Sequence, residues 1–241
     1  MRVWVSNRPP LLLPLSSEEA DCLPRVCGAF FLSGGHFVEL PDALPMSASA
    51  RRGLARRIWH SRAAVPPPLE QQASQLAEKT PQTPGRVHQL GRFEDETARR
   101  ALSACLPEDL AASLHSPFEW YGCRGAGFHT DAHYVEVLFG AWCMAGPMRD
   151  FVLAGTELRL ACAAGDLVVF DPFQPHAVLD PGQLRYDRER YVAAAATVFL
   201  GFELELAAEV RERFGIGPAR PGALSIGSAT PVNAETGQIV R

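Results

Sequence analysis

His129-Thr130-Asp131 sets an imidazole and a carboxylate two residues apart. On a strand, residues i and i+2 point to the same face, so these two side chains stand together. His176, on a separate apolar stretch, brings a second imidazole. Two imidazoles and one carboxylate on one face of an octahedral ion leave three adjacent positions open. That arrangement suits non-haem Fe(II), which must hold a bidentate co-substrate and dioxygen at once. Zinc favours a closed tetrahedron or a single open position.

Alone, His-x-Asp is a short pattern that arises by chance, and its surroundings give it meaning. Gly165-Asp166 makes a turn, Leu167-Val168-Val169-Phe170 an apolar strand, and a proline-containing turn then leads to His176-Ala177-Val178. Arg190-Tyr191-Val192 opens a further apolar run through Phe202. An arginine beside a metal is a bidentate partner for a carboxylate. This order resembles the Fe(II)/2-oxoglutarate-dependent dioxygenase superfamily, which folds as a double-stranded β-helix. Around Arg190-Tyr191 it is similar to the prolyl-hydroxylase-type branch. The resemblance covers about residues 118–203. It implies that His129, Asp131 and His176 hold Fe(II) and that Arg190 pairs with the distal carboxylate of 2-oxoglutarate. Arg185 and Arg188 remain alternatives, because the gap from His176 to Arg190 is long for the pattern. Tyr121 is a candidate to donate its hydroxyl to the co-substrate. With dioxygen as oxidant, the implied reaction is hydroxylation or demethylation of a second substrate. The Asp131 carboxylate leaves no ligand slot for a halide, which disfavours the halogenating branch. Two rivals stay open: a cupin-like metal-binding barrel without oxygenase activity (an isomerase or hydrolase), and a metal-free barrel that serves as a binding module.

The expected fold is α+β, a jelly-roll, cupin-like core with helices packed from the N-terminal half. Residues 1–116 would support the barrel, 117–203 form it, and 204–241 add a helix and a flexible tail, in one structural domain. Strands are predicted at 117–123, 127–131, 134–144, 150–154, 157–162, 166–171, 174–179 and 190–202, from short apolar runs between Gly and Pro. Helices are predicted at 48–62, 69–78, 94–104, 107–115 and 204–214. Arg51, Arg52, Arg56, Arg57 and Arg62 would make the first a basic helix, its face either solvated or a contact surface for an anionic partner. The stretch up to residue 90 reads as a mobile connection. His133 reads as a partly exposed structural residue, and Tyr134 and Trp142 as packing. Arg124 is placed at the surface, and His36, His60, His88 and His115 have no partners at ligand spacing.

Composition bounds the function. The 241 residues are 47% hydrophobic and 21% charged, enough to bury a sizeable core. A net charge of −4 argues against a protein that coats nucleic acid or an anionic membrane, leaving a small-molecule or peptide substrate. The six cysteines, at 22, 27, 105, 123, 143 and 162, form no C-x-x-C pair and fit neither a disulfide framework nor a zinc ribbon. The Leu11-Leu12-Leu13 run is flanked by prolines and does not read as a signal peptide. No run of 18 apolar residues suggests a transmembrane helix. A reducing, cytoplasmic setting is the expectation.

Overall fold

Apolar runs of four to nine residues are too short for buried helices, and their alternate residues face opposite ways, so they pair into sheets. The computed structural model describes residues 35–41, 46–48 and 52–240. Residues 1–34, with Cys22, Cys27 and Leu11 to Leu13, lie outside these, as do Ser49 to Arg51. The first half holds β1 (His36–Glu39), β2 (Met46–Ala48), β3 (Arg52–Gly53), β4 (Arg57–Arg62), α1 (Pro67–Lys79), β5 (Val87–Phe93), α2 (Glu96–Cys105) and α3 (Glu108–Ala112). Then come β6 (Phe118–Cys123), β7 (Ala126–His129), β8 (Val137–Ala145), β9 (Arg149–Leu153), β10 (Arg159–Cys162), β11 (Asp166–Phe170), β12 (His176–Leu179) and β13 (Thr197–Glu205). The chain continues through α4 (Ala208–Arg213) and β14 (Leu224–Ile226).

Seven strands form one sheet in the order β1-β4-β11-β8-β13-β6-β5, and four form another in the order β10-β9-β12-β7. Every neighbouring pair in both is antiparallel. The inner faces share one apolar cluster. Ile58, Phe139, Val168, Phe170 and Phe199 come from the larger sheet, and Phe151, Leu153, Leu160 and Val178 from the smaller. Period two sends the intervening residues to the far face of the larger sheet. There Trp120, Trp142, Leu167 and Leu200 pack against Leu69 and Ala73 of α1, Leu102 of α2 and Leu110 of α3. Pro67 opens α1 in the first turn, where a missing N–H costs nothing. Asp95 caps α2 by accepting the Ala98 N–H at 2.7 Å.

The structure corrects five expectations. The protein is mostly antiparallel sheet, with four helices among the described residues, rather than an even α+β mixture. The predicted basic helix over 48–62 is instead β3 and β4, where described. Ile58 faces the intersheet core and its neighbour Trp59 the opposite face, as a strand requires. β4 is paired on both edges, by β1 and β11, and those ladder bonds decide its conformation over local helix preference. Arg52, expected on a solvated face, is buried. The supposed connection before residue 90 already contains the start of β5, held by β6. The predicted strand over 190–202 begins only at Thr197, and Arg188–Tyr191 is a 3-10 turn.

The C-terminal run, expected as a flexible tail, also carries regular structure. It contributes β14, which pairs parallel with β2 in a small sheet completed by β3. Farther on, Ala234 accepts the Phe128 N–H at 2.8 Å, against β7. Gly237, at φ 72°, packs where any Cβ would strike Ala154 and Phe128. Among the described residues no helix is long and apolar enough to cross a membrane.

Candidate metal centre

β7 ends at His129, β12 begins at His176, and the two residues are direct partners across the ladder. That register places the imidazoles together, with ring centroids 4.4 Å apart. Asp131 lies just beyond β7, not on it, where its N–H donates to the Pro172 carbonyl at 2.8 Å. Its carboxylate Oδ2 stands 3.5 Å from His176 Nε2 and 3.9 Å from His129 Nε2. One donor atom from each of the three residues falls within 4.8 Å of the others.

The remaining ring nitrogens fix the tautomers. His129 Nδ1 lies 2.8 Å from the Gly127 carbonyl and His176 Nδ1 2.9 Å from the Gln174 carbonyl. A carbonyl oxygen only accepts, so each Nδ1 carries a hydrogen and each Nε2 is the nitrogen turned toward Asp131. His176 is buried between Phe151 and Phe170, one from each sheet. Burial, then the neighbouring His176, depresses His129 to about 4, which keeps its imidazole neutral near pH 7. Burial alone would raise Asp131. Its bond with His176 and the charges of His176 and His129 outweigh that and hold it at about 2, as a carboxylate. Two imidazoles turned toward an ionised carboxylate are the donor set that a divalent transition metal takes.

The triad opens into a cavity of about 410 Å³ walled by Phe139, Phe151, Phe170, Phe199, Val168 and Val178. One side of it is polar. Tyr121 donates to the Glu119 carboxylate and therefore accepts from the Tyr134 hydroxyl at 2.9 Å. Burial and this Glu119 bond push the Tyr121 hydroxyl well above its ordinary range, so it stays protonated. Arg92 Nε binds the other oxygen of Glu119, and Arg92 itself lies at the cavity rim, 64% exposed.

Thus His129, Asp131, His176 and Tyr121 come together around one cavity, with His133 and Tyr134 beside them. Arg190, Arg185 and Arg188 are not among the residues that line it. With β13 starting seven residues later than expected, Arg190 falls on the 3-10 turn, half-exposed, its Nε 3.8 Å from Asp180. Asp180 is already bound by the buried Arg149, whose guanidinium lies over the Tyr191 ring. Trp142 packs on the helix-covered face, and Arg124 donates to the carbonyls of Thr80, Pro81 and Ala194. His36 meets His60 edge-on, and His115 lies 3.5 Å from Glu205. Sequence reasoning missed Arg92 and Glu119, cross-strand partners in the β5–β6 register. The available signal was an acid set in the aromatic strand Phe118-Glu119-Trp120-Tyr121.

No protein-family model matches the chain, and no curated protein matches it. Among solved structures it is similar to a prolyl-4-hydroxylase from Pseudomonas putida, with 15% identity over 62% of this chain and 92% of that chain and a TM-score of 0.35. A 2OG-Fe(II) oxygenase family oxidoreductase from Burkholderia pseudomallei matches at 13% identity, over 72% and 73% of the two chains, with a TM-score of 0.31. A cupin 2 conserved barrel domain protein from Salinispora arenicola CNS-205 matches at 20% identity, over 54% and 82%, with a TM-score of 0.26.

Proposed function

We propose that this chain is an Fe(II)- and 2-oxoglutarate-dependent dioxygenase of the double-stranded β-helix type, hydroxylating or demethylating a small-molecule or peptide substrate. The convergence of His129 Nε2, Asp131 Oδ2 and His176 Nε2 carries this reading, with both imidazole tautomers fixed by backbone carbonyls. The strand order supports the β-helix. From β6 to β13 the chain alternates between sheets except at the β9–β10 hairpin, giving β6-β13-β8-β11 opposite β7-β12-β9-β10.

The three side chains would hold Fe(II) on one face. Bound iron and the 2-oxo acid supply the oxidising power for dioxygen chemistry. The protein's share is positional and dielectric. Aromatic and branched walls exclude water from the open face. The Tyr134–Tyr121–Glu119 chain holds its protons at defined oxygens along one wall. Within this reading Arg92, steadied by Glu119, is the guanidinium we assign to the distal carboxylate of the co-substrate, in place of Arg190, Arg188 or Arg185. The substrate class follows from net charge and the apolar cavity, with no nucleic acid or membrane partner. A cytoplasmic setting agrees with free thiols at Cys105, Cys123, Cys143 and Cys162.

One observation favours a second reading, a metal-binding barrel without oxygenase activity: the single arginine lining the cavity, among the described residues, is already tied to a carboxylate. Anaerobic titration with Fe(II) and then 2-oxoglutarate separates the two. An Fe(II)–2-oxo acid charge-transfer band is expected for the dioxygenase. Iron binding without that band would favour the second reading, and absence of metal binding would sink both.

A further inference from the structure

The turn between β11 and β12 carries an ion pair sealed from solvent. Arg52 Nη1 lies 2.6 Å from Asp171 Oδ2 and Arg52 Nη2 3.1 Å from Asp171 Oδ1, with side chains 5% and 0% exposed. Asp171 also accepts the Ala55 N–H at 2.9 Å and the Phe173 N–H at 3.1 Å. The Arg52 guanidinium sits 5.2 Å above the Phe173 ring. Removing two charges from water is expensive, and such a pair is retained where geometry makes use of it.

The use is visible on the other side of the same turn. Residues 171–175 read Asp-Pro-Phe-Gln-Pro, and two prolines restrict their φ angles. Pro172 gives its carbonyl to the Asp131 N–H, and Gln174 gives its carbonyl to His176 Nδ1. The Gln174 side chain donates back to the Ala55 carbonyl at 2.8 Å. One five-residue bracket therefore grips two of the three members of the triad. It is itself gripped by the segment 52–55, through Asp171 and Gln174.

We infer that Arg52 and Asp171 are positioning residues of the metal centre: their pair locks the 171–175 bracket, and the bracket sets where Asp131 and His176 present their donor atoms. The inference rests on the metal-centre reading above. β3, which carries Arg52, is bound through β2 to β14, so strands from both ends of the described chain back the bracket.

The experiment measures metal affinity directly, with Mn(II) under anaerobic titration and with the visible spectrum of the Co(II) form. The full chain is compared with Asp171→Asn and Arg52→Lys. Asp171→Asn removes the charge at constant shape, and Arg52→Lys keeps the charge but loses the fork. Each is expected to retain a cooperative melt, to bind Mn(II) about 10- to 100-fold more weakly, and to shift the Co(II) bands, with Arg52→Lys the milder. Leu110→Ala, which opens the distant helix-covered core, is the control: it should lower the melting temperature without moving metal affinity or spectrum. Folded variants with unaltered affinity and spectrum would overturn the inference. If the variants do not fold, hydrogen exchange on the unaltered chain decides. Mn(II) should slow exchange at the Ala55 and Phe173 amides as well as at Asp131. Slowing at Asp131 alone would overturn the coupling. An unaltered chain that binds neither ion would overturn the metal-centre reading itself, and this inference with it.

Discussion

The two large sheets divide the labour unevenly. The smaller sheet carries both histidines, at the paired ends of β7 and β12, and backs His176 with Phe151. The larger sheet provides the opposite wall and the Glu119–Tyr121 side of the cavity, while its outer face anchors the helices. One sheet thus spends its geometry on donor atoms and the other on bulk. The difference teaches that the site is built where few residues pair and where short turns supply the carbonyls. Most of the apolar core lies on the side that holds no donor.

This contrast is breakable, and the largest effect should come from the smaller sheet. His129→Ala, Asp131→Ala and His176→Ala should each abolish stoichiometric Fe(II) binding while far-UV circular dichroism stays native; a variant that titrates like the unaltered chain would remove that residue from the ligand set. Trp142→Ala does the reverse on the larger sheet. Filling no role at the cavity and fully buried, its loss should lower stability by about 3–5 kcal/mol in denaturant unfolding and leave metal affinity unchanged. Next comes the shared wall. Arg92→Ala should raise half-saturating 2-oxoglutarate about tenfold, ~1.4 kcal/mol, with Fe(II) binding intact, whereas Arg190→Ala should leave it nearly unchanged. The opposite ranking, read from the charge-transfer titration, would return the role to the 3-10 turn.

The smallest effect concerns thiols. Burial pushes Cys123 up to about 11 and Cys143 up to about 12, both on the inner face of the larger sheet. The folded state keeps protons that an unfolded thiol releases near 9, so their contribution is constant below pH 9 and declines as pH rises from there toward about 12. Denaturation midpoints at pH 8 and pH 10 should show this decline, and Cys143→Ala should reduce it. An equal decline in that variant would assign it to other groups.

Much of this architecture was legible along the chain because the informative signals were local. The runs that became β6 to β12 are short and mostly apolar between Gly and Pro, and His129, Asp131 and His176 stand out by type. What failed was non-local. β4 mimics helical spacing, since Ile58 and Trp59 are both buried, yet two neighbouring strands decide its conformation. The stretch before Thr197 is rich in alanine and apolar enough for a strand. Instead its carbonyls at Ala194 and Ala195 are taken by Arg124 and Arg149, which no local pattern announces. Arg92 with Glu119 and Arg52 with Asp171 are pairs only in three dimensions; the second spans 119 positions of sequence.

β7 is a four-residue strand with β12 on one flank. Its other flank is closed by borrowed backbone: Gly85 bonds Gly125 and Gly127, and Ala234 takes the Phe128 N–H, one residue before His129. Cleaving the chain between β14 and Ala234 would free the Ala234 part of that cover and leave the Phe128 amide bare on a short apolar strand. Unpaired edges of this kind recruit other strands. The first symptom of such a clip would be self-association of the protein, arriving before any loss of chemistry at the histidine next door.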